Sequence, residues 1–520
     1  MAQDTSGTSL TTNAMASSRT PSVRFLVDWA DTGFANVASW TDESDYVIAV
    51  RGELQSLDYG KSISAIGAGV SNAVYVTCRN PEVTSGGSGL RFSASNASGP
   101  LYTYIGGGKV HMTRACVQIG LSGEYLRQIT GYIVDAPEDY ANRQVVFEIR
   151  DRAVEFALAR QASDLYTDTT AKAYLQYLCG ILDKDVIAVT DQEFDDGLIE
   201  IEYAYLDNER VWEEMGLLAE AQAGRIWFDK DGDLHFDDGA HFVKPNVNSW
   251  DDPTTSQAAL DTADFLACNP RYPANAVYNH IQVEYQPRYV AIEQNIYTAS
   301  ETNIIAASGT RDIVCEFTYP VNSVTTPEAD TDYVAVTSGG TDITTDITIT
   351  LTSDANQATL TIANANASFA AYLVKLELRG QPLLSEQSSR YETEDATSIA
   401  QYGRRTLPIR NPYVQSYRHA EMVGDLLLAR YKDPVQNITL RGVRGLPWLE
   451  PGDRITVTET LTGIDEDYFI GKINWSFAAD QGYTMNLELM RAADLYPHTD
   501  YFVIGTSHYG TGTGRGRLFW

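Results

Sequence analysis

The sequence predicts a mainly β, multidomain protein: small antiparallel β-barrels, one α/β domain and an inserted β-sandwich. Three observations lead there. Residues 22–149 and 454–490 carry short runs of alternating apolar and polar residues, such as Ile455 and Val457 set between Arg454, Thr456 and Thr458. That is the period of a half-buried strand. Between 150 and 244 the apolar spacing lengthens to that of helices, interrupted by strand-like runs. From 315 to 380 Thr, Asn, Ala, Asp and Ser dominate, charges are few, and alternation is clean.

At 520 residues the chain is too long for one domain. Composition and period divide it as follows. Residues 1–21 form a flexible N-terminal arm, 22–149 a first β-barrel domain and 150–244 the α/β domain. Residues 245–314 with 381–415 form a further β domain, interrupted by the β-sandwich at 315–380. A helix plus C-terminal β-barrel occupies 416–495, and 496–520 is a Gly-rich tail.

Each element has a local reason. In the first barrel, strands are expected over 23–27, 46–50, 129–133 and 145–149, punctuated by Gly and Asn clusters. In the α/β domain, helices are expected over 152–161, 169–182 and 208–223. The second carries Tyr174, Leu175, Leu178, Ile181 and Leu182 on one face, with Thr167 or Asp168 as N-cap. Gly224 stands where a left-handed C-cap is wanted. Strands over 225–228 and 233–236 flank Asp229-Lys230-Asp231-Gly232, and Gly232 is the glycine of a hairpin turn. The inserted segment alternates at Ile343, Ile347, Ile349 and Leu351, then at Ala358, Leu360 and Ile362. The last helix, 416–431, has an apolar stripe at Val423, Leu426 and Leu427. After it, Pro447 and Pro451 fix φ, Pro451-Gly452 fits a tight turn, and Asp453 leads into strands over 454–458, 469–475 and 484–490.

The totals exclude several function classes. Thirty-eight basic against 69 acidic residues leave a net charge of −31, so the chain repels nucleic acid. That acidity serves either solubility or a wall past which DNA slides. Cys78, Cys116, Cys179, Cys268 and Cys315 are odd in number, widely spaced and without a Cys-x-x-Cys pair. They read as free thiols of a chain made in a reducing cytoplasm. No run of 18 apolar residues suggests a membrane-spanning helix.

Chemistry finds little support. Asp229 to Asp233 has the look of a calcium loop, but its glycine is at the fourth position and Ala240 stands where a bidentate Glu is needed. His235 and His241 flank Asp237 and Asp238, yet no third and fourth metal ligand stands at a defined spacing. Paired carboxylates such as Asp195-Asp196 suit a glycosidase, but with 69 acidic residues chance pairs are expected. No catalytic residue, metal or cofactor is assigned. At the C-terminus, Leu518, Phe519 and Trp520 end a Gly-rich arm. They are candidate interface anchors, docking on a neighbouring subunit or the next protein, or else they fold back on their own barrel.

One family resemblance emerges. The order Tyr402-Gly403-Arg404-Arg405, the helix at 420–430, Thr439-Leu440-Arg441-Gly442, 446–457, Lys472-Ile473-Asn474-Trp475 and Leu487-Glu488-Leu489-Met490 resembles the C-terminal part of baseplate hub, or tail hub, proteins of tailed bacteriophages. Cys78-Arg79-Asn80, Leu90-Arg91-Phe92-Ser93 and Ser98-Gly99-Pro100-Leu101 are similar to that family's first barrel. The helix, Gly224, strand, turn and strand are similar to its α/β domain. The resemblance spans nearly all of 22–495, broken by the insertion.

The resemblance implies a structural virion protein at the distal end of the tail, made in the host cytoplasm and not an enzyme. It implies a homotrimer whose barrels form a pseudo-sixfold ring joining the sixfold tail tube to the threefold central fibre or spike. The ring's partners would be the tail tube or distal tail protein, the tape measure protein, and DNA only in transit. Receptor binding and wall digestion would then fall to other chains. The alternative is a tail protein that binds or hydrolyses host-surface carbohydrate.

Overall fold

In the computed structural model, residues 3–495 are described except 6–7, 17–18, 56–66, 69–70, 84–88, 103–111, 183–184, 244–251 and 274–275. The mainly β, multidomain fold expected from the alternation is present, and its largest unit is a 14-stranded sheet. From one edge to the other the main path runs Ala267–Arg271, Asn437–Arg444, Gly482–Arg491, Ile464–Ala478, Val47–Gln55, Ala73–Arg79, Gln144–Asp151, Glu124–Asp135, Thr113–Leu121, Pro21–Val27 and Thr41–Asp42. Strand Arg454–Glu459 branches from it by pairing with Ile464–Ala478.

The barrels expected at the two ends of the chain are therefore not separate closed rings among the described residues. They meet at an antiparallel seam, where Val47–Gln55 pairs with Ile464–Ala478 in the register Val50↔Phe477, Gly52↔Trp475 and Leu54↔Ile473. Strand period fixes which face is apolar but not which strand is the neighbour, so this pairing was invisible in the sequence. The two regions share one core, with Phe25, Val76, Phe147 and Ile149 from the first and Leu440, Ile455, Ile473 and Leu487 from the second.

The N-terminal segment, expected as a flexible arm, contains a helix at Leu10–Met15. Leu10 and Ala14, one helical turn apart, are buried in that same core. Two apolar side chains at i and i+4 are enough to dock so short a helix when a groove already exists.

The α/β region has its own core, shared with the last helix. Helix Ala171–Gly180 buries Tyr174, Leu175 and Leu178. Its N-cap is Thr170, whose hydroxyl accepts from the Ala173 N–H at 3.1 Å, one turn later than Thr167 or Asp168. Helix Tyr417–Tyr431 is capped by Ser416 and buries Val423 and Leu427 against Ile281 and Val283. Strand His280–Tyr285 lies between Ser389–Glu394 and Thr406–Arg410. It carries Ile281 and Val283 on the buried face.

Residues 294–385 build a smaller β unit. One sheet is Thr310–Glu316, Gln357–Asn364 and Ile347–Ser353. The other gathers several short strands along the single long strand Ala371–Ser385. Cys315, Leu360, Ile362, Leu376 and Leu378 fill the space between them. All five cysteines are free thiols; Cys78, Cys179 and Cys315 are buried in these cores, and Cys116 in a small cluster with Val37 and Trp40. No described helix is long and apolar enough to cross a membrane.

Candidate functional site

The feature that joins these units is a hairpin seated against strand Glu124–Asp135 of the main sheet and the loop at 447–453. Strands Arg225–Phe228 and Leu234–Asp237 pair antiparallel, with Ile226 opposite Phe236. Their apolar residues, Ile226, Phe228, Leu234 and Phe236, face the α/β core. The turn is organised by Asp229, whose Oδ1 accepts from the N–H groups of Gly232 and Asp233, both at 2.8 Å. Gly232 has φ +90°, which an L side chain rarely adopts. The calcium-like spelling of 229–233 is thus the spelling of a tight turn.

Helix Val211–Ala221 leads into the hairpin, and here one expectation is corrected. Gly224 is not the left-handed residue. Ala223 is, with φ +49°. Gly224 N–H bonds to Ala219 O at 2.9 Å and Ala223 N–H to Glu220 O at 3.0 Å, the paired bonds of a Schellman motif. The glycine is required for a different reason. A Cβ at Gly224 would lie 2.2 Å from the Asp237 carbonyl oxygen, so only glycine lets the helix end approach the second strand.

The turn's Lys230 points inward and is only 3 % exposed. Its ammonium donates to the carbonyl oxygens of Pro447 at 2.8 Å and Leu449 at 2.7 Å. Its backbone N–H donates to Glu450 Oε1 at 3.2 Å, and the Glu450 N–H in turn donates to Asp453 Oδ2 at 2.7 Å. The stretch containing Pro447, Pro451, Gly452 and Asp453 is therefore the receptor for this lysine. Gly452 has φ +105°, and a Cβ there would meet Arg225 Nη2 at 2.3 Å.

The first barrel region grips the same turn. Thr130 Oγ1 donates to Lys230 O at 3.0 Å, and Gln128 Nε2 donates to Pro447 O at 2.9 Å. Tyr483 OH donates to Gln128 Oε1 at 3.1 Å. Arg127 and Gln3 both reach Asp231. Residues 3, 128, 230, 447 and 483 thus meet in one buried joint.

Burial dominates the electrostatics. It pushes the Lys230 ammonium down and the Glu450 carboxyl up, each opposed by the charge of the other. Burial also raises Asp229, with Asp231 adding to the effect. Deeper in the hairpin, Arg225 Nε contacts Asp237 Oδ2 at 2.6 Å and Trp227 Nε1 donates to the same oxygen at 2.9 Å. Burial alone would raise Asp237, but His241 and Arg225 more than offset it and hold the carboxyl well below its usual range. Charges that are buried and paired this closely resist separation, because pulling one out strands its partner.

The other sequence candidates are dispersed. His235 stacks on Trp227 with ring centroids 4.7 Å apart and faces Asp229 at 3.3 Å. His241 Nδ1 lies 2.9 Å from Asp195 Oδ2. Asp196 turns away to Lys172 on the surface, so Asp195 and Asp196 do not flank a common bond. Among the described residues no group of three or more His, Cys, Asp or Glu is placed to hold a metal ion. Leu518, Phe519 and Trp520 lie outside the described residues.

No family model matches the chain. No curated protein matches it. Among solved structures, a tail protein from Neisseria meningitidis MC58 aligns over 92 % of this chain and 98 % of its own, at 10 % identity and TM-score 0.48. The 43 kDa tail protein of prophage MuSo2 from Shewanella oneidensis aligns over 91 % and 99 %, at 12 % identity and TM-score 0.46. Prophage tail protein gp18 from Listeria monocytogenes EGD-e aligns over 90 % and 94 %, at 9 % identity and TM-score 0.40. All three are described as tail proteins, two of them from prophages.

Sequence reasoning located the turns of the joint but missed its cation. Lys230 sits between two aspartates, the usual signature of a solvated hairpin tip. The available signal was on the other side: Glu450 stands between Leu449 and Pro451 in an otherwise apolar run, where a carboxylate needs a buried partner.

Proposed function

We propose that this chain is a structural hub protein of a phage tail tip. It assembles as a homotrimer at the distal end of the tail, between the sixfold tail tube and a threefold fibre or spike. It encloses the passage for the tape measure protein and then DNA, and performs no catalysis. The observation that carries this reading is the continuous sheet. The hub-like segments Cys78-Arg79, Thr439–Gly442, Lys472–Trp475 and Leu487–Met490, from opposite ends of the chain, fall on strands of one hydrogen-bonded sheet. The joint around Lys230 then ties the 225–237 hairpin both to strand Glu124–Asp135 of that sheet and to the loop at 447–450. A collar that must stay shut under load needs such fixed geometry.

The net charge of −31 suits a bore that phosphate does not adhere to. The test is assembly. Light scattering on the purified full chain should give three times the 57.3 kDa chain mass, and electron microscopy should resolve threefold rings with an axial opening. A monomer at micromolar concentration with no ring by microscopy rejects the proposal.

A further inference from the structure

Two clefts meet at Arg288, at the base of the 294–385 β unit. One, of about 180 Å³, is lined by Tyr203, Tyr205 and Tyr413 with Asp207, Glu209 and Glu214. The other, of about 210 Å³, is lined by Glu284, Tyr285 and Arg410. Arg288 and Pro412 wall both, so the two form one bent groove.

The groove is built rather than incidental. Tyr413 is 4 % exposed, and its hydroxyl donates to Glu214 Oε2 at 2.8 Å, which fixes the carboxylate. Gln415 clamps the Tyr203 backbone, accepting from its N–H at 2.9 Å and donating to its carbonyl at 2.7 Å. Arg410 Nε is held by Glu284 at 2.9 Å. Asn356 donates to Leu206 O at 3.3 Å and ties the β unit to the wall beside Tyr205. Arg288 is different. Its strand Arg288–Val290 pairs with residues 383–385, yet its side-chain Nε is buried without a hydrogen-bond partner among the described residues. A buried guanidinium N–H needs an acceptor, and in a cleft water or a ligand supplies it.

The geometry points to a binding site for a neutral oligosaccharide. The half-buried rings of Tyr203 and Tyr205 offer flat apolar faces for sugar C–H groups. Carboxylates accept from sugar hydroxyls, and Arg288 donates to them, so a polyol satisfies both signs at once. An anionic ligand suits the groove less, because Asp207, Glu209, Glu214 and Glu284 outnumber Arg288 and Arg410. This inference is independent of the hub reading, since sugar binding and ring assembly are measured separately.

The test uses the full-length chain and four probes: chitohexaose, maltohexaose, cellohexaose and, as an anionic control, sialyllactose. Saturation-transfer NMR and calorimetry should detect at least one neutral hexasaccharide, and Arg288→Gln and Tyr205→Ala should each weaken it by about tenfold or more. Unchanged thermal melting of both variants, and unchanged binding in Val374→Ser on the exposed face of the β unit, would localise the effect. No binding of any neutral probe at 10 mM, set as roughly the weak limit of specific recognition, overturns the assignment. So does binding of sialyllactose alone, binding unaffected by either groove variant, or a groove covered by a second copy so that Arg288→Gln changes the oligomeric mass instead.

Discussion

The indole of Trp475 lies directly over Gly52, its cross-strand partner at the seam that joins the two ends of the chain. A Cβ placed on Gly52 would fall 2.3 Å from the ring. Trp475 is 3 % exposed and packs edge-on against Tyr483 at 5.7 Å. Tyr483 in turn covers Gly445 and bonds Gln128 of the joint. The seam and the joint are thus one continuous packing unit, and glycines at two positions make room for it.

The first prediction concerns that seam. Gly52→Ala should destabilise the chain by about 1–3 kcal/mol through overpacking. Trp475→Ala should cost about 3–5 kcal/mol through the cavity it leaves. Because the added methyl would occupy space that the ring vacates, the double variant should be less destabilised than the sum. Urea titrations of the four proteins check this; strict additivity would mean that the two residues do not share the space.

A second prediction separates the two residues at the helix end. Gly224→Ala drives a methyl into the Asp237 carbonyl, 2.2 Å away, and should cost more than about 2 kcal/mol. Ala223→Gly relaxes a left-handed alanine and should be near neutral, within about 1 kcal/mol. Thermal melting of both variants measures the contrast. Equal losses would assign the left-handed role to the wrong residue.

Lys230 supplies the third. Replacing it by Met leaves the buried carbonyls of Pro447 and Leu449 without their donor. A loss of about 1–3 kcal/mol is expected, as for buried acceptors left unsatisfied. Limited proteolysis should then cut within 225–237 while the 294–385 unit stays intact. A variant as stable as the parent would show that the ammonium is dispensable.

The fourth concerns acid. His419, on helix Tyr417–Tyr431, is 2 % exposed, and its Nε2 lies 2.6 Å from Ala221 O. Burial lowers its pKa from 6.5 to about 4, with the Ala221 carbonyl opposing. The unfolded chain therefore binds a proton that the folded chain refuses between those values. This contribution to stability is full above pH 6.5 and is lost as pH falls through about 4, by up to about 3 kcal/mol. His419→Gln keeps a donor for Ala221 but does not titrate, so its stability should fall less steeply from pH 7 to 4 in urea unfolding. Parallel curves would remove the histidine from the acid response.

Much of the local structure was legible in the sequence because it depends on residues close in the chain. Alternation at 454–458 marked a strand now spanning Arg454–Glu459, and the stripe at Val423 and Leu427 marked helix Tyr417–Tyr431. Gly232, between aspartates, announced the hairpin turn that Asp229 closes. Neighbours in sequence decide such features through φ, spacing and a single side-chain cap.

What only the tertiary structure decided was partnership. Nothing near Gly52 in the chain names Trp475, more than 400 positions away, because an apolar face specifies that it must be covered and not by what. Lys230 looked solvated until the 447–453 loop closed over it. Ala223 took the left-handed turn because Gly224 was committed to a contact with Asp237, a strand away. Period and composition determined the pieces; long-range packing, which can bury a charge or exclude a Cβ, determined how they are locked together.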